Sequence, residues 1–125
     1  MSHTILLVED NEQNRYLATF LLEQAGHRVL HAPNGRAALV SAERAHPDLV
    51  LMDIQMPGVD GVEALRRLRA NERTAAIPVL AVTAQAMQGD RERFLAEGFD
   101  GYLSKPVNVR ELIGTVRQHC DGRAG

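Results

Sequence analysis

Pro47-Asp48-Leu49-Val50-Leu51-Met52-Asp53-Ile54-Gln55-Met56-Pro57-Gly58-Val59-Asp60-Gly61 is the stretch that decides the fold. Leu49 to Met52 is a continuous apolar run, which suits a strand buried on both faces. It stops at Asp53, a carboxylate where the pattern asks for another apolar residue. Pro57, Gly58 and Gly61 then impose a loop and a turn. Asp53 therefore stands at the carboxyl end of a buried strand, where open α/β sheets place their ligands. An aspartate there can also be a local hydrogen-bond acceptor. The neighbouring elements decide between the two.

Upstream, Thr4 to Val8 is a second apolar run of strand length, and it too ends in carboxylates, Glu9 and Asp10. Asn11 is placed to cap a helix. Leu17, Phe20 and Leu21 follow helical spacing, and Gly26 closes that helix. Arg28 to Ala32 reads as a strand and Pro33-Asn34-Gly35 as a turn. Ala38, Ala42 and Ala45 then share one face of a second helix, which Pro47 ends.

Downstream, Asp60 can cap a third helix that turns Val62, Leu65 and Leu68 inward. Arg66, Arg67 and Arg69 are expected on its solvated face. Pro78 to Val82 is a fourth buried strand with Thr83 at its end. Met87 to Glu97 is a helix with few apolar residues (Met87, Phe94, Leu95) and Gly98 as its C-cap. Gly101 to Ser104 is a short last strand followed by Lys105-Pro106. Val109, Leu112, Ile113, Val116 and Cys120 form the apolar stripe of a fifth helix, which makes Cys120 a core residue.

Five strands alternating with five helices predict an α/β fold, a five-stranded parallel sheet covered on both faces. Right-handed crossovers bring every carboxyl end to one edge. That edge then gathers Glu9, Asp10, Asp53, Thr83 and Lys105. Three carboxylates held close raise at least one pKa unless a cation joins them. Hard oxygen ligands select Mg²⁺, which usually takes one or two protein carboxylates and keeps several waters. Asp53 beside such an ion can act as a nucleophile toward a phosphoryl group. Lys105 would supply a point charge and Thr83 a hydroxyl donor. No glycine-rich loop follows the first strand and no Gly-x-Ser-x-Gly elbow is present, which disfavours dinucleotide binding and hydrolase chemistry.

Composition narrows the classes further. With 125 residues the chain is one domain that can bury a core, and 45% hydrophobic residues is ordinary for a globular protein. A net charge of −2 gives no basic footprint for nucleic acid or an acidic membrane. One cysteine allows no internal disulfide. No secretory signal and no bilayer-length apolar run is visible, so the expected location is the cytoplasm. The histidines carry no metal-site pattern: His27 and His31 are four apart in a strand, where that spacing builds no chelating face. Asp48 and Asp100 precede apolar runs and read as turn residues.

These motifs together resemble the receiver domains of bacterial two-component response regulators. The residues that carry the resemblance are Glu9-Asp10, Asp53 with Met56-Pro57 and Gly61, Thr83-Ala84, and Lys105-Pro106. It covers essentially the whole chain, with 1–120 as the receiver domain and 121–125 as a short disordered tail. Val8 to Glu12 and Ala86 to Asp90 look most like DivK-type single-domain regulators, and receivers of hybrid histidine kinases look similar.

The resemblance implies a doubly wound, flavodoxin-like and CheY-like sheet of order 2-1-3-4-5. It implies Asp53 as phosphoacceptor, and Mg²⁺ on Asp10, Asp53 and the backbone carbonyl of Gln55, with Glu9 assisting through water. Thr83 and Lys105 would hold the phosphoryl group, and the Lys105–Pro106 bond would be cis. Thr83 and Tyr102 would form the switch, and Gln55 and Gln85 would tune phosphoryl lifetime. The implied partners are a histidine kinase or histidine phosphotransfer protein upstream and a protein target downstream, reached through the fourth helix, last strand and fifth helix. A constitutive scaffold, a receiver excised from a hybrid histidine kinase and a phosphatase using an aspartyl-phosphate intermediate are the alternatives. The phosphatase lacks its usual second carboxylate, since position 55 is Gln55. Apart from its own phosphorylation and dephosphorylation, the chain is not expected to be an enzyme.

Overall fold

The structure is a computed structural model that describes residues 3–54, 61–83, 89–105 and 108–123, with the backbone alone at 90, 91 and 121–123. Strands and helices alternate as β1 (Thr4–Val8), α1 (Glu12–Gln24), β2 (Arg28–Ala32), α2 (Gly35–Ala45), β3 (Leu49–Asp53), α3 (Gly61–Ala70), β4 (Val79–Thr83), α4 (Asp90–Glu97), β5 (Gly101–Ser104) and α5 (Val109–Arg123). The strands form one parallel sheet in the order β2-β1-β3-β4-β5. Val8 pairs with Ala32 and Met52, Asp53 with Val82, and Thr83 with Ser104. The register thus brings the ends of β1, β3, β4 and β5 to one edge.

Successive strand residues face opposite sides of a sheet, and here both sides are core. Leu6, Val8, Val50, Met52, Val79 and Ala81 pack with the buried alanines and leucines of α2 and α3 and with Phe94 and Phe99. Ile5, Leu7, Leu49, Leu51, Leu80, Val82 and Leu103 pack with Leu22 of α1 and with Leu112, Val116 and Cys120 of α5. That two-sided burial is why β1, β3 and β4 carry unbroken apolar runs.

The helix ends follow their local chemistry. Asn11 and Asn34 cap α1 and α2 by accepting from the N–H groups of Asn14 and Ala37. Gly26 and Gly98, with φ of 92° and 112°, take the left-handed conformation that suits glycine at a helix end. Gly61 is required for another reason. A Cβ there would lie 2.7 Å from Ile54 Cα and 2.9 Å from the Asp53 carbonyl oxygen, so the start of α3 rests on the end of β3.

Several sequence expectations change. On α1 the inward stripe is Ala18, Leu21 and Leu22, whereas Leu17 and Phe20 are about half exposed beside an exposed Tyr16. The helix has more apolar residues than one face can bury, and the 18/21/22 spacing is the set that meets the sheet. Ala45 and Val109 are exposed rather than inward, and Leu95 of α4 is exposed as well. β4 ends one residue later than expected, which makes Thr83 its last strand residue.

Arg69 is not on a solvated face. Its guanidinium donates to the carbonyls of Ala75, Ile77 and Gly98 and to the Asp100 carboxylate, tying α3 to the ends of two later loops. α4 is described from Asp90, so Met87 and the Asp60 cap lie outside the described residues. α5 is helical to Arg123, three residues into the tail expected at 121–125. Among the described residues no helix is long and apolar enough to cross a membrane.

Candidate functional site

The five polar residues singled out from the sequence all stand at the carboxyl edge of the sheet. Glu9 follows β1 and is held there by its own N–H, which donates to the Ala32 carbonyl across β2. Asp53 ends β3, and Ile54 N donates to the Val82 carbonyl, which fixes the strand end against β4. Glu9 is 4% exposed and Asp53 3% exposed, while Asp10 faces solvent. Lys105 follows β5, and its backbone N–H donates to the Thr83 carbonyl at 2.7 Å. Its ammonium lies 2.8 Å from Glu9 Oε1 and 3.0 Å from Asp53 Oδ2.

Thr83 is buried at the end of β4 on the same edge. Tyr102 is not at this site. It is half-buried on β5 with its ring 5.8 Å from that of Phe94. Gln55, Gln85, Ala84, Met56-Pro57 and the Lys105–Pro106 bond lie outside the described residues.

The electrostatics are those of crowded acids around one base. Burial pushes the Glu9 carboxyl up to about 7. A hydrogen bond with the Asp53 carboxyl and repulsion by its charge push the same way, against the lowering by Lys105. Two carboxyl groups can share a hydrogen bond only if one keeps a proton. Burial alone would lower the Lys105 ammonium, but its hydrogen bonds to Glu9 and Asp53 outweigh that and hold it above its ordinary value. The edge therefore has more acid than its own base neutralises.

A hard divalent cation fits that imbalance. One carboxylate oxygen from each of Glu9, Asp10 and Asp53 lies within 4.8 Å of the others, two of the residues buried and one open to water. An all-oxygen set with an open side suits an ion that keeps part of its water shell. Among the described residues this is the one such cluster.

Two residues at the site were missed by sequence reasoning. His31 Nε2 lies 3.1 Å from the Glu9 carbonyl, and Arg15 Nη1 of α1 lies 3.4 Å from the same nitrogen. A carbonyl only accepts and a guanidinium only donates, so Nε2 serves one of these contacts at a time, and with its proton on Nε2 the imidazole donates to the shorter one, the Glu9 carbonyl. No spacing pattern in the sequence links His31 to Glu9. The link depends on the β1/β2 register, which pairs Leu7 with His31.

The chain is similar to known proteins in sequence and fold. The family model described as the response regulator receiver domain matches residues 5–117. The polar-differentiation response regulator DivK of Brucella ovis is 43% identical over 119 residues, covering 95% of this chain and 97% of that protein. The receiver domain of a sensor histidine kinase of Pseudomonas aeruginosa PAO1, with a magnesium ion coordinated in its active site cleft, is 40% identical. It superposes with a TM-score of 0.88 over 97% of this chain and 99% of that one. A co-crystal structure from Saccharomyces cerevisiae joins a histidine phosphotransfer signaling protein to the receiver domain of its downstream response regulator. It matches at 27% identity and a TM-score of 0.88, over 98% and 91% of the two chains.

Proposed function

This chain belongs to the response regulator receiver family, and from that premise we propose that Asp53 accepts a phosphoryl group from a phosphohistidine on a partner. Receivers are signalling modules of two-component systems rather than turnover enzymes. The observation that carries the proposal is the buried Asp53 carboxylate, grouped with Glu9 and Asp10 and bonded to Lys105.

In the step proposed, an Asp53 oxygen forms a bond to phosphorus as the phosphorus–nitrogen bond to the donor imidazole breaks, and that imidazole leaves as a neutral ring after taking a proton. Lys105 is freed from one carboxylate and meets the transferred phosphoryl oxygens. Thr83, buried at the neighbouring strand end, offers its hydroxyl to the same oxygens. Asp10, Asp53 and the Gln55 carbonyl would hold Mg²⁺, with Glu9 reaching it through water. Bound there, the ion neutralises charge on the phosphoryl oxygens during transfer. Gln55 and Gln85 would set phosphoryl lifetime by steering or blocking the attacking water.

A histidine kinase or histidine phosphotransfer protein is the proposed donor. The half-exposed Leu17 and Phe20 and the exposed Tyr16 on α1 supply an apolar surface close to the acidic edge on which it can dock. Output is proposed through α4, β5 and α5, with Thr83 and Tyr102 as the switch and a protein target downstream. α4 supports this reading: among its described side chains Phe94 alone is buried, so few apolar contacts hold the helix in place. Residues 1–120 form the receiver in this proposal, 121–125 its tail, and the cytoplasm its location.

Intact mass after incubation with acetyl phosphate tests the reading. One phosphoryl group should be gained with Mg²⁺ and none without it. Absence of any gain, together with failure to bind beryllofluoride, would overturn the phosphoacceptor assignment. The output assignment is separate: beryllofluoride should change amide exchange over α4, β5 and α5, and unchanged exchange there would remove it.

A further inference from the structure

α4 reaches the core through one ring. Among its described side chains Phe94 is buried, at 1% exposure, while Glu92, Arg93, Leu95, Ala96 and Glu97 are exposed. The Phe94 ring has two aromatic neighbours. Phe99 meets it edge-on, with centroids 5.9 Å apart and planes at 81°. Tyr102 meets it at 5.8 Å and 47°. Such pairs add a specific attraction to the area they bury.

The two neighbours differ in what carries them. Phe99 belongs to the turn that ends α4: its N–H donates to the Phe94 carbonyl, and Gly98 N–H donates to the Leu95 carbonyl. Tyr102 belongs to β5 and is held in register with Ala81 of β4. Of the two ring contacts, Phe94–Tyr102 is therefore the one that joins α4 to the sheet. The two rings also differ in freedom. Phe94 is packed in the core, where close packing holds a ring in place. Tyr102 is half-buried and borders an open groove of about 320 Å³ between α4, β5 and α5. A ring beside open space can change rotamer.

We propose that Phe94 couples α4 to the rotamer of Tyr102. Each rotamer of Tyr102 gives or withdraws one of the two ring contacts of Phe94, and α4 shifts with it. This inference rests on the output reading above and deepens it, by naming the side chain that carries the Thr83–Tyr102 switch into α4. Coupling between sites needs an element with two arrangements that both sites bias. The Tyr102 ring is that element, with the phosphorylation site on one side and Phe94 on the other.

Amide exchange of the full chain, with and without beryllofluoride, tests the coupling. The parent should change its exchange in both β5 and α4. In Phe94→Leu, which keeps an apolar side chain and loses the ring, the change should persist in β5 and vanish in α4. The Mg²⁺-dependent gain of a phosphoryl group from acetyl phosphate should remain in that variant. A double-variant cycle without beryllofluoride gives a readout that a structural role of Phe94 alone would not move. Tyr102→Leu should speed α4 exchange by about fivefold, and Tyr102→Phe, which keeps the ring, should leave it unchanged. Tyr102→Leu added to Phe94→Leu should have no further effect on α4. A beryllofluoride response retained in α4 of Phe94→Leu, or two substitutions whose effects multiply, would overturn the coupling and leave the output reading standing. The Tyr102 variants decide even if Phe94→Leu does not fold: α4 exchange in Tyr102→Leu equal to the parent would overturn the coupling as well. A parent that responds to beryllofluoride in none of α4, β5 and α5 would overturn the output reading and the coupling together.

Discussion

The two edges of the sheet both carry carboxylates, in opposite surroundings. At the amino edge, Asp48 and Asp100 each do the same thing to the first residue of a strand. Asp48 N donates to the Thr4 carbonyl while its carboxylate accepts from Thr4 N. Asp100 N donates to the Val79 carbonyl while its carboxylate accepts from Val79 N and from Arg69. At the carboxyl edge, Glu9, Asp10 and Asp53 face one another, with Lys105 between two of them. Acids met by backbone N–H groups hold the fold. Acids met by other acids store repulsion that a cation or a phosphoryl-transfer step can relieve.

The sharpest way to break that contrast is to remove one acid at the carboxyl edge. Asp53→Asn should lose phosphorylation by more than about a thousandfold, since the amide is a far poorer nucleophile. Its Tm should nonetheless stay within about 3 °C of the parent or rise, because one member of a repelling pair is gone. Mass spectrometry and thermal unfolding on the same sample check both halves. A large loss of stability would mean that Asp53 holds the fold as Asp100 does.

The second effect is on pH. Glu9 releases its proton near its ordinary 4.5 in the unfolded chain and near 7 in the folded one. Between those values the folded state binds more protons, so its stability falls as pH rises through the window. A displacement of that size is of the order of 3 kcal/mol. Urea unfolding without Mg²⁺ should therefore show a lower midpoint at pH 8 than at pH 5. Mg²⁺ binds the deprotonated carboxylates, so its stabilisation should grow over the same window and oppose that fall. A midpoint that rises with pH in the metal-free protein would contradict the crowded-acid account.

Third comes the amino edge. Arg69→Ala leaves three carbonyls and the Asp100 carboxylate without that donor. The guanidinium is partly exposed, so water replaces some of the loss, and about 2 kcal/mol of destabilisation is expected in urea unfolding. The Mg²⁺-dependent gain of a phosphoryl group should persist. Its disappearance in a still-folded variant would mean the two edges are coupled rather than separate.

The same contrast explains what the sequence made legible. β1, β3 and β4 were readable because each is buried on both faces and so appears as an unbroken apolar run. The site was readable because each such run ends in a charged or hydroxyl residue, and one parallel topology gathers all those ends. Arg69 was read as solvated because its neighbours Arg66 and Arg67 are exposed and helical periodicity places it near them. Its partners come from loops up to 31 residues away, which periodicity cannot see. The inward face of α1 was misplaced for a related reason: Leu17 and Phe20 outweigh Ala18 in hydrophobicity, and only the packed sheet shows that the alanine faces in. His31 carries no local signal either, since its contact with Glu9 depends on how two strands register.

His31 gives the smallest effect and the finest test of the carboxyl edge. With its proton on Nε2 it donates to the Glu9 carbonyl from β2 and braces the loop that carries Glu9 and Asp10 without belonging to the acidic cluster. Groups that orient ligands from behind affect cation affinity through geometry. This one is exposed, and water can take over part of its role. His31→Ala should therefore weaken Mg²⁺ by about threefold with little change in Tm. His31→Gln, which can donate an amide N–H to the same carbonyl, should recover most of that affinity. Recovery by glutamine would assign the effect to the hydrogen bond and leave Glu9, Asp10 and Asp53 as a cluster held in place from the neighbouring strand. Equal weakening in both variants would instead assign it to the imidazole ring packed beside Arg15, and the carboxyl edge would extend onto the surface of α1.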